Sequence, residues 1–259
     1  MRLKDKVAIV TGGVAGIGKE ITLGYIREGA TVVVVDCDAD NVNKMSLEFK
    51  DMGHKGLSFV VDVTKRPEVD QMVEKVIKEF GKIDILVNCA AIYPATPFLN
   101  ITEEEWVNVI DIDLNGVFRC TQAVAIEMVK KASGRIINIT SGQGLLGIPL
   151  MAHYTAAKGG LVSITRALAA ELSPLGINIS AIAPGLTSTE RVTQALPPEY
   201  LEAMGQFAAM RRIGRPDEYV GIAILLASDE GSYITGETIA VDGGSTNVQP
   251  PMASGFSEG

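Results

Sequence analysis

The pattern that most constrains this chain is the alternation of short apolar runs with longer amphipathic stretches. The runs are rich in Val and Ile and show little polar alternation, which is typical of parallel strands covered on both faces. The amphipathic stretches follow the helical period. Strands are predicted at 7–10, 31–35, 57–61, 83–87, 135–139, 177–182 and 238–241, and helices at about 16–29, 39–52, 67–80, 103–131, 154–172 and 216–227.

This alternation along the whole chain predicts a doubly wound α/β fold around a parallel seven-stranded sheet. The 259 residues suffice for one such domain, and we find no linker or internal repeat. We therefore predict a single domain over residues 1–244. Residues 186–212 form an insertion that breaks the alternation, and residues 245–259 form a C-terminal tail of Gly, Pro, Ser and Glu.

Composition and charge exclude several classes of protein. With 47% hydrophobic and 21% charged residues, the chain is not disordered. Lys and Arg number 23 against 31 for Asp and Glu, so the net charge of −8 without a basic stripe excludes nucleic acid as a partner. The apolar runs are too short to span a membrane, and no targeting segment is visible, so we predict a cytoplasmic protein without a membrane partner. Three cysteines, Cys37, Cys89 and Cys120, predict neither a disulfide framework nor a metal site.

The first predicted strand runs into a glycine-rich turn that opens a helix. Glycine permits the tight turn and lets backbone N–H groups approach a pyrophosphate, which also faces the positive N-terminus of the helix. A glycine cluster is often only a turn, but its place in the first βα unit favours a dinucleotide site. The candidate binding residues are Gly12, Gly16, Ile17 and Gly18.

The second predicted strand ends at Asp36, where a carboxylate can accept hydrogen bonds from both hydroxyls of an adenosine ribose. The same carboxylate would repel a 2′-phosphate. The glycine turn holds Val14 and Ala15 rather than a cation that would attract one. An exposed strand-end Asp is the lesser interpretation. The sequence therefore favours NAD over NADP.

Polar residues also follow the third and fourth strands. Asp62 and Val63 follow one, and Asn88 and Ala90 follow the other. The carboxyl ends of parallel strands meet at the edge where ligands bind in open α/β sheets. Asp62 can accept a hydrogen bond from the adenine amino group. Asn88 can equally serve the cofactor or satisfy local backbone groups, and the sequence does not choose between these two roles.

The most specific pattern combines Ser141, after the fifth strand, with Tyr154 and Lys158 on the next helix. Tyr154 and Lys158 are four residues apart, so they share a helix face. A tyrosine ionises near a pKa of about 10, and a fixed ammonium beside it lowers that pKa. Ser141 can hydrogen-bond the same substrate oxygen. The three residues predict a proton-transfer site beside a nicotinamide.

Together these motifs resemble the short-chain dehydrogenase/reductase family over about residues 3–244. The resemblance implies a Rossmann-type sheet with strand order 3-2-1-4-5-6-7 and a catalytic tetrad of Asn115, Ser141, Tyr154 and Lys158. The matching motifs, in chain order, are Thr11-Gly12, Gly16-Ile17-Gly18, Asp62, Asn88, Ala90, Asp113-Leu114-Asn115-Gly116, Ser141, Tyr154, Lys158, Pro184-Gly185 and Asp242-Gly243-Gly244.

The resemblance also implies roles for the tetrad. Tyr154 is expected to be the general acid/base, and Ser141 to polarise and orient the substrate oxygen. Lys158 is expected to hold the nicotinamide ribose and to depress the pKa of Tyr154. Asn115 lies where family members break the helix locally to hold a water that relays protons. His153 precedes Tyr154, but we assign it no catalytic role, because adjacent helix residues point apart.

The family also supplies expectations for the residues that cover the cofactor. Residues 186–212 are expected to form a substrate lid that orders on ligand binding. Ala91 stands where the family usually has Gly, and we expect it to cause only a small local shift. The residues expected to cover the nicotinamide and approach the phosphates are Pro184, Gly185, Thr187 and Thr189.

The substrate pocket is expected to include Tyr93, Gln143, Met151 and Leu186. Most residues around it are apolar, which suits a hydrophobic secondary alcohol or ketone, although ordinary packing is the alternative for some of them. The family commonly pairs the helices at 103–131 and 154–172 across subunits, so a homotetramer is expected.

We therefore predict an NAD-dependent oxidoreductase that transfers a hydride between NAD(H) and a secondary alcohol or ketone. The alternative is a 3-oxoacyl thioester reductase acting on acyl carrier protein, against which Asp36 and the acidic balance argue. A non-catalytic dinucleotide-binding regulator is a third hypothesis, disfavoured because Tyr154 and Lys158 are both present.

Overall fold

The computed structural model describes residues 1–248, so residues 249–259 of the predicted tail lie outside the described residues. Seven parallel strands form one sheet in the order β3-β2-β1-β4-β5-β6-β7. The doubly wound fold and the strand order are confirmed. The strands are β1 Val7–Thr11, β2 Thr31–Asp36, β3 Leu57–Val60, β4 Ile85–Asn88, β5 Gly134–Ile139, β6 Ile177–Pro184 and β7 Thr238–Val241.

Helices cover both faces of this sheet. None of the helices within residues 1–248 has the length and hydropathy needed to cross a membrane. They are α1 Gly16–Arg27, α2 Ala39–Asp51, α3 Arg66–Phe80, α4 Glu103–Ile110, α5 Gly116–Val129, α6 Gln143–Leu146, α7 Ala152–Leu172, α8 Glu190–Ala195, α9 Pro198–Gly205 and α10 Val220–Ala227.

The helix predicted over 103–131 is interrupted. A π-helical turn, Asp111–Asn115, separates α4 from α5. Such turns insert an extra residue into the helix and often mark functional sites. The insertion 186–212 contains α8 and α9, and the helix predicted over 216–227 begins as a 3₁₀ turn, Pro216–Tyr219.

The core lies in two layers, one on each face of the sheet. Successive residues of a strand point to opposite faces, so Ala8 and Val10 of β1 join one layer, while Val7 and Ile9 join the other. Both layers are apolar, which explains why the strands show no polar alternation. The apolar residues therefore cover the two faces of the sheet, and polar residues follow the strands at its carboxyl edge.

The described beginning of the predicted tail is fixed to the end of β7. The Asp242 carboxylate accepts hydrogen bonds from the backbone of Gly244 and from the backbone and hydroxyl of Thr246. The methyl group of Thr246 lies so close to Gly142 that a side chain there would approach it to 3.0 Å. The chain thus returns to the loop that follows β5.

Candidate active site at the carboxyl edge of the sheet

The glycine turn after β1 packs against the loop after β4. Thr11 Oγ1 accepts hydrogen bonds from Cys89 N at 3.1 Å and Ala90 N at 3.3 Å. Gly12 has a φ of +65°, and a Cβ on it would lie 2.8 Å from the Ala90 backbone. Only glycine therefore fits this contact. The loop that contains Ala90 thus packs directly against the glycine turn.

The same turn leaves backbone donors available at the start of α1. The cap residue Ala15 provides no side-chain hydrogen bond, and the first turn holds no acidic residue. Uncapped N–H groups at a helix N-terminus attract an anion. Gly16 faces the Thr189 methyl group, and a Cβ there would approach it to 3.1 Å. This cradle suits a dinucleotide pyrophosphate, with Gly12, Gly16, Ile17 and Gly18 as the residues that would hold it.

Asp36 and Asp62 lie at the neighbouring strand ends. Asp36 is partly buried, its Oδ1 accepts from Asp38 N at 3.1 Å, and burial raises the pKa of its carboxyl group. Asp62 Oδ1 accepts from the backbone and the hydroxyl of Thr64, and its Oδ2 is 3.4 Å from Lys65 Nζ. The Asp62 carboxylate thus stabilises the loop after β3. Contacts of Asp62 with adenine and of the buried Val63 with the cofactor stay predictions.

Asn88 performs a local structural role. Its amide Nδ2 donates to Thr121 on α5 and to Asn138 on β5, each at 2.9 Å, and Asn138 in turn donates to Thr165 on α7. All four side chains are buried. The amide nitrogen is therefore used within the protein, whereas Asn88 Oδ1 is buried without a hydrogen-bond partner among the described residues, so a contact with the cofactor stays a prediction. These hydrogen bonds connect the end of β4 to α5, to β5 and to α7, the helix that carries Tyr154 and Lys158.

The predicted catalytic residues Ser141, Tyr154 and Lys158 are brought together. Lys158 is buried, donates from Nζ to Ile139 O at 3.2 Å, and places that atom 5.5 Å from the centroid of the Tyr154 ring. Ser141 follows β5, and its Oγ accepts from Gln143 N at 3.1 Å. The β5 strand end and one face of α7 thus present a hydroxyl, a phenol and an ammonium to the same space.

The pKa of Tyr154 is raised, not lowered as the sequence suggested. Burial is the main cause, since it disfavours the phenolate. The Lys158 charge and a hydrogen bond from Ser141 oppose it, while Asp113 and Tyr93 raise the pKa further. The expected effect of Lys158 is therefore present, but the effect of burial outweighs it.

The structure does not bring Asn115 to the other three predicted catalytic residues. Its side chain is exposed and donates to Asp111 Oδ1 at 3.0 Å. Asp113, two residues earlier in the same π turn, is fully buried, and its Oδ2 is 3.5 Å from Lys158 Nζ. Asn115 is assigned through the backbone of the broken helix, so its part in a water relay stays a prediction, and the structure adds Asp113 as the side chain of this turn that lies next to Lys158. The expected helix break itself is present.

His153 takes a structural position. It is fully buried, its Nδ1 accepts from Tyr154 N at 2.8 Å, and its Nε2 lies 2.8 Å from Glu105 Oε1. With Nδ1 as the acceptor, Nε2 donates to Glu105. The residue joins α7 to α4, and both of its ring nitrogens are occupied by these contacts.

The strand β6 ends at Pro184, and the insertion 186–212, whose role as a lid stays a prediction, follows soon after. The Thr187 hydroxyl donates to Gly185 O at 2.9 Å and lies 2.6 Å from Tyr219 OH, so this side chain is used within the protein. Gly185 packs against Asp242, where a Cβ would meet the backbone at 2.9 Å. Thr189 caps α8 through Val192 N. Contacts of Pro184, Gly185, Thr187 and Thr189 with a cofactor stay predictions.

One of the predicted substrate residues, Tyr93, packs against the predicted acid/base Tyr154. Tyr93 meets Tyr154 edge to face, with ring centroids 6.2 Å apart. The Arg191 guanidinium carbon of α8 lies 4.6 Å from the Tyr93 centroid. Arg191 was not among the predicted site residues, because it belongs to no sequence motif. Gln143 at the start of α6, Met151 before α7 and Leu186 after β6 are partly buried, and their contact with a substrate stays a prediction.

Comparisons with known proteins agree with this architecture. A family profile described as Enoyl-(Acyl carrier protein) reductase matches residues 13–246. A 3-oxoacyl-[acyl-carrier-protein] reductase of Thermotoga maritima is 38% identical over 94% of this chain and 99% of its own length. A short-chain type dehydrogenase/reductase from Mycobacterium marinum is 34% identical, with a TM-score of 0.90, and the match covers 95% of this chain and 97% of that one.

A structure of NAD+-bound xylitol dehydrogenase is 30% identical, with a TM-score of 0.88, over 94% of this chain and all of that one. The matches extend over nearly the whole chain and share its seven-stranded sheet. The protein is therefore an oxidoreductase of the short-chain dehydrogenase/reductase family.

Proposed function

We propose that the protein interconverts a secondary alcohol and a ketone with NAD(H). The observation that carries the proposal is the grouping of Tyr154, Lys158 and Ser141 at the carboxyl edge of the sheet, the edge that also carries the glycine turn before α1. The bound nicotinamide supplies the hydride chemistry. Tyr154 gives its phenolic proton to the substrate oxygen in reduction and accepts it in oxidation. Ser141 orients that oxygen, and Lys158 holds a positive charge beside both.

The preference for NAD(H) rests on Asp36. Its carboxylate stands at the end of β2, on the edge that carries the glycine cradle. There it can accept from the ribose hydroxyls and oppose a 2′-phosphate. Reductases that act on acyl carrier protein normally use NADPH. Asp36 therefore favours an alcohol or ketone substrate over a thioester carried by acyl carrier protein, because the two substrates go with different cofactors.

A second candidate substrate is a 3-oxoacyl thioester, itself converted to a secondary alcohol. The name of the Thermotoga maritima relative supports it better than it supports a simple hydrophobic alcohol. Arg191 adds a local reason, because its guanidinium lies on the Tyr93 ring, next to Tyr154. A cation at this place suits an acyl group on an anionic carrier. The net charge of −8 argues against an acidic carrier protein.

We propose a homotetramer from exposed apolar side chains on α4 and α5, the region predicted as one helix over 103–131 and expected to pair across subunits. Phe118, Ile126 and Val129 of α5 and Val107 of α4 are between 38% and 55% exposed. Large apolar side chains grouped on neighbouring helices favour burial against another subunit.

Tyr154→Phe is expected to reduce turnover by about 10²–10⁴-fold, because the proton donor is lost. The assay follows nicotinamide absorbance with a panel of secondary alcohols and ketones. NADH binding, measured by fluorescence titration, is expected to stay unchanged. Tyr233→Phe, at a fully exposed tyrosine, is the matched control. Equal turnover in Tyr154→Phe and the natural enzyme would remove Tyr154 from its role.

Asp36→Ser is expected to weaken NAD⁺ binding by about tenfold or more, since a charge-assisted hydrogen bond contributes about 1.5–3 kcal/mol. It should improve NADP⁺ binding by removing the repulsion of the 2′-phosphate. Steady-state KM values for both cofactors measure the effect, with the exposed Asp40→Ser as control. An unchanged ratio of the two KM values would contradict the proposed cofactor preference.

Arg191→Met is expected to lower kcat/KM for acetoacetyl-CoA by about tenfold, the effect of losing about 1.4 kcal/mol of interaction. The N-acetylcysteamine thioester of acetoacetate lacks the phosphates and should be unaffected. Arg166→Met on α7 is the control for loss of a positive charge. If the natural enzyme reduces neither thioester, the thioester candidate is eliminated.

Phe118→Arg is expected to convert the assembly to smaller species, because it places a charge in the proposed apolar interface. Light scattering after gel filtration measures the mass against the 27.5 kDa subunit. Tyr233→Arg is the control at an exposed aromatic residue outside these helices. A natural protein with the mass of one subunit would overturn the tetramer.

A further inference from the structure

The π turn places a buried carboxylate against the catalytic lysine. Asp113 is fully buried and Lys158 is 2% exposed, and Asp113 Oδ2 is 3.5 Å from Lys158 Nζ. This distance is longer than a charge-assisted hydrogen bond of about 2.7–2.9 Å, so the two groups interact mainly through their charges. In a buried site such charges are weakly screened. Burial raises the pKa of Asp113, while the Lys158 charge and the hydrogen bond from Ile92 N favour its carboxylate form. That carboxylate offsets the lysine charge felt by neighbouring groups such as Tyr154.

The position of the carboxylate is fixed by the backbone. Asp113 Oδ1 accepts a hydrogen bond from Ile92 N at 2.8 Å, in the loop that also carries Tyr93. The same π turn packs on α7, where a Cβ on Gly160 would lie 3.2 Å from the Leu114 side chain. One oxygen is thus held by a backbone N–H group, and the other is left facing the ammonium.

We propose that Asp113 is a positioning residue that partly cancels the Lys158 charge and so keeps Tyr154 in its protonated form at neutral pH. This inference rests on the proposed function, in which Tyr154 exchanges a proton with the substrate oxygen. Lys158 alone would stabilise the phenolate. With Asp113 beside it, the net charge that faces Tyr154 is reduced, and the phenol is retained as a proton donor.

Other ionisable groups adjoin this trio. Burial raises the pKa of Cys89 to about 11, so its thiol is neutral at neutral pH. Tyr93 packs edge-on against Tyr154 and carries Arg191 on its outer face, and the buried His153 is paired with Glu105. None of these groups forms an ion pair with Lys158, whereas Asp113 does. For Lys158, burial lowers the pKa, but the negative charges around it, led by Asp113, raise it overall.

The consequence concerns the pH range of each direction. In reduction, a hydride is added to the carbonyl carbon of the substrate from NADH, the Tyr154 O–H bond breaks, and a new O–H bond forms on the substrate. The resulting phenolate recovers a proton from solvent. Reduction needs the phenol and oxidation needs the phenolate. A protein that holds Tyr154 protonated therefore reduces over a wide pH range and oxidises only at alkaline pH, without altering the equilibrium.

Asp113→Asn tests the inference directly, because it removes the charge and keeps the shape and an oxygen to accept from Ile92 N. The phenolate absorbance of the protein without cofactor is titrated, and the titration of a matching Tyr154→Phe variant is subtracted. We expect the pKa of Tyr154 to fall by about one unit, as for other charges within a few ångströms. Asp111→Asn removes a partly exposed carboxylate from the same turn and should shift it far less.

The pH profile of turnover provides a second readout. In Asp113→Asn, the rise of alcohol oxidation and the fall of ketone reduction should both move to lower pH by a similar amount. Asp113→Ser is the second variant, should Asn not fold, and thermal melting reports folding. A Tyr154 pKa that is unchanged in both variants, or that moves equally in Asp111→Asn, overturns the inference. The titration needs no substrate, so a failure to find turnover would count against the proposed function alone.

Discussion

The burial of the Lys158 ammonium is the constraint on which the site depends. A charge removed from water must be surrounded by acceptors or opposite charges. Here the acceptor is Ile139 O of β5 and the opposite charge is Asp113 of the π turn. Burial of this charge therefore requires β5, α7 and the π turn between α4 and α5 to stay packed together. The contacts that place the lysine for chemistry are also contacts that define the fold.

The sequence predicted the sheet well because burial on both faces leaves a direct pattern in the residues. It also placed Asp36 and Ser141 at the functional edge, since the carboxyl ends of parallel strands share that edge. Strand and helix ends moved by one or two residues, where local hydrogen bonds decide. These parts of the molecule follow from periodicity, which needs no knowledge of tertiary contacts.

The remainder depends on orientation, which periodicity does not give. A π turn shifts the helix face by an extra residue, so nothing in the sequence showed that residue 113 rather than 115 faces Lys158. Asn88 looked equally suited to a ligand and to the protein, and its amide is used by the protein. Arg191 could not be predicted from a motif, because only the tertiary fold brings the insertion 186–212 next to Tyr93.

The hydrogen bonds between Asp242 and Thr246 hold the chain after β7 against the loop that follows β5. Thr246 sits against Gly142, the neighbour of Ser141. A chain cut at residue 244 would lose this support next to Ser141.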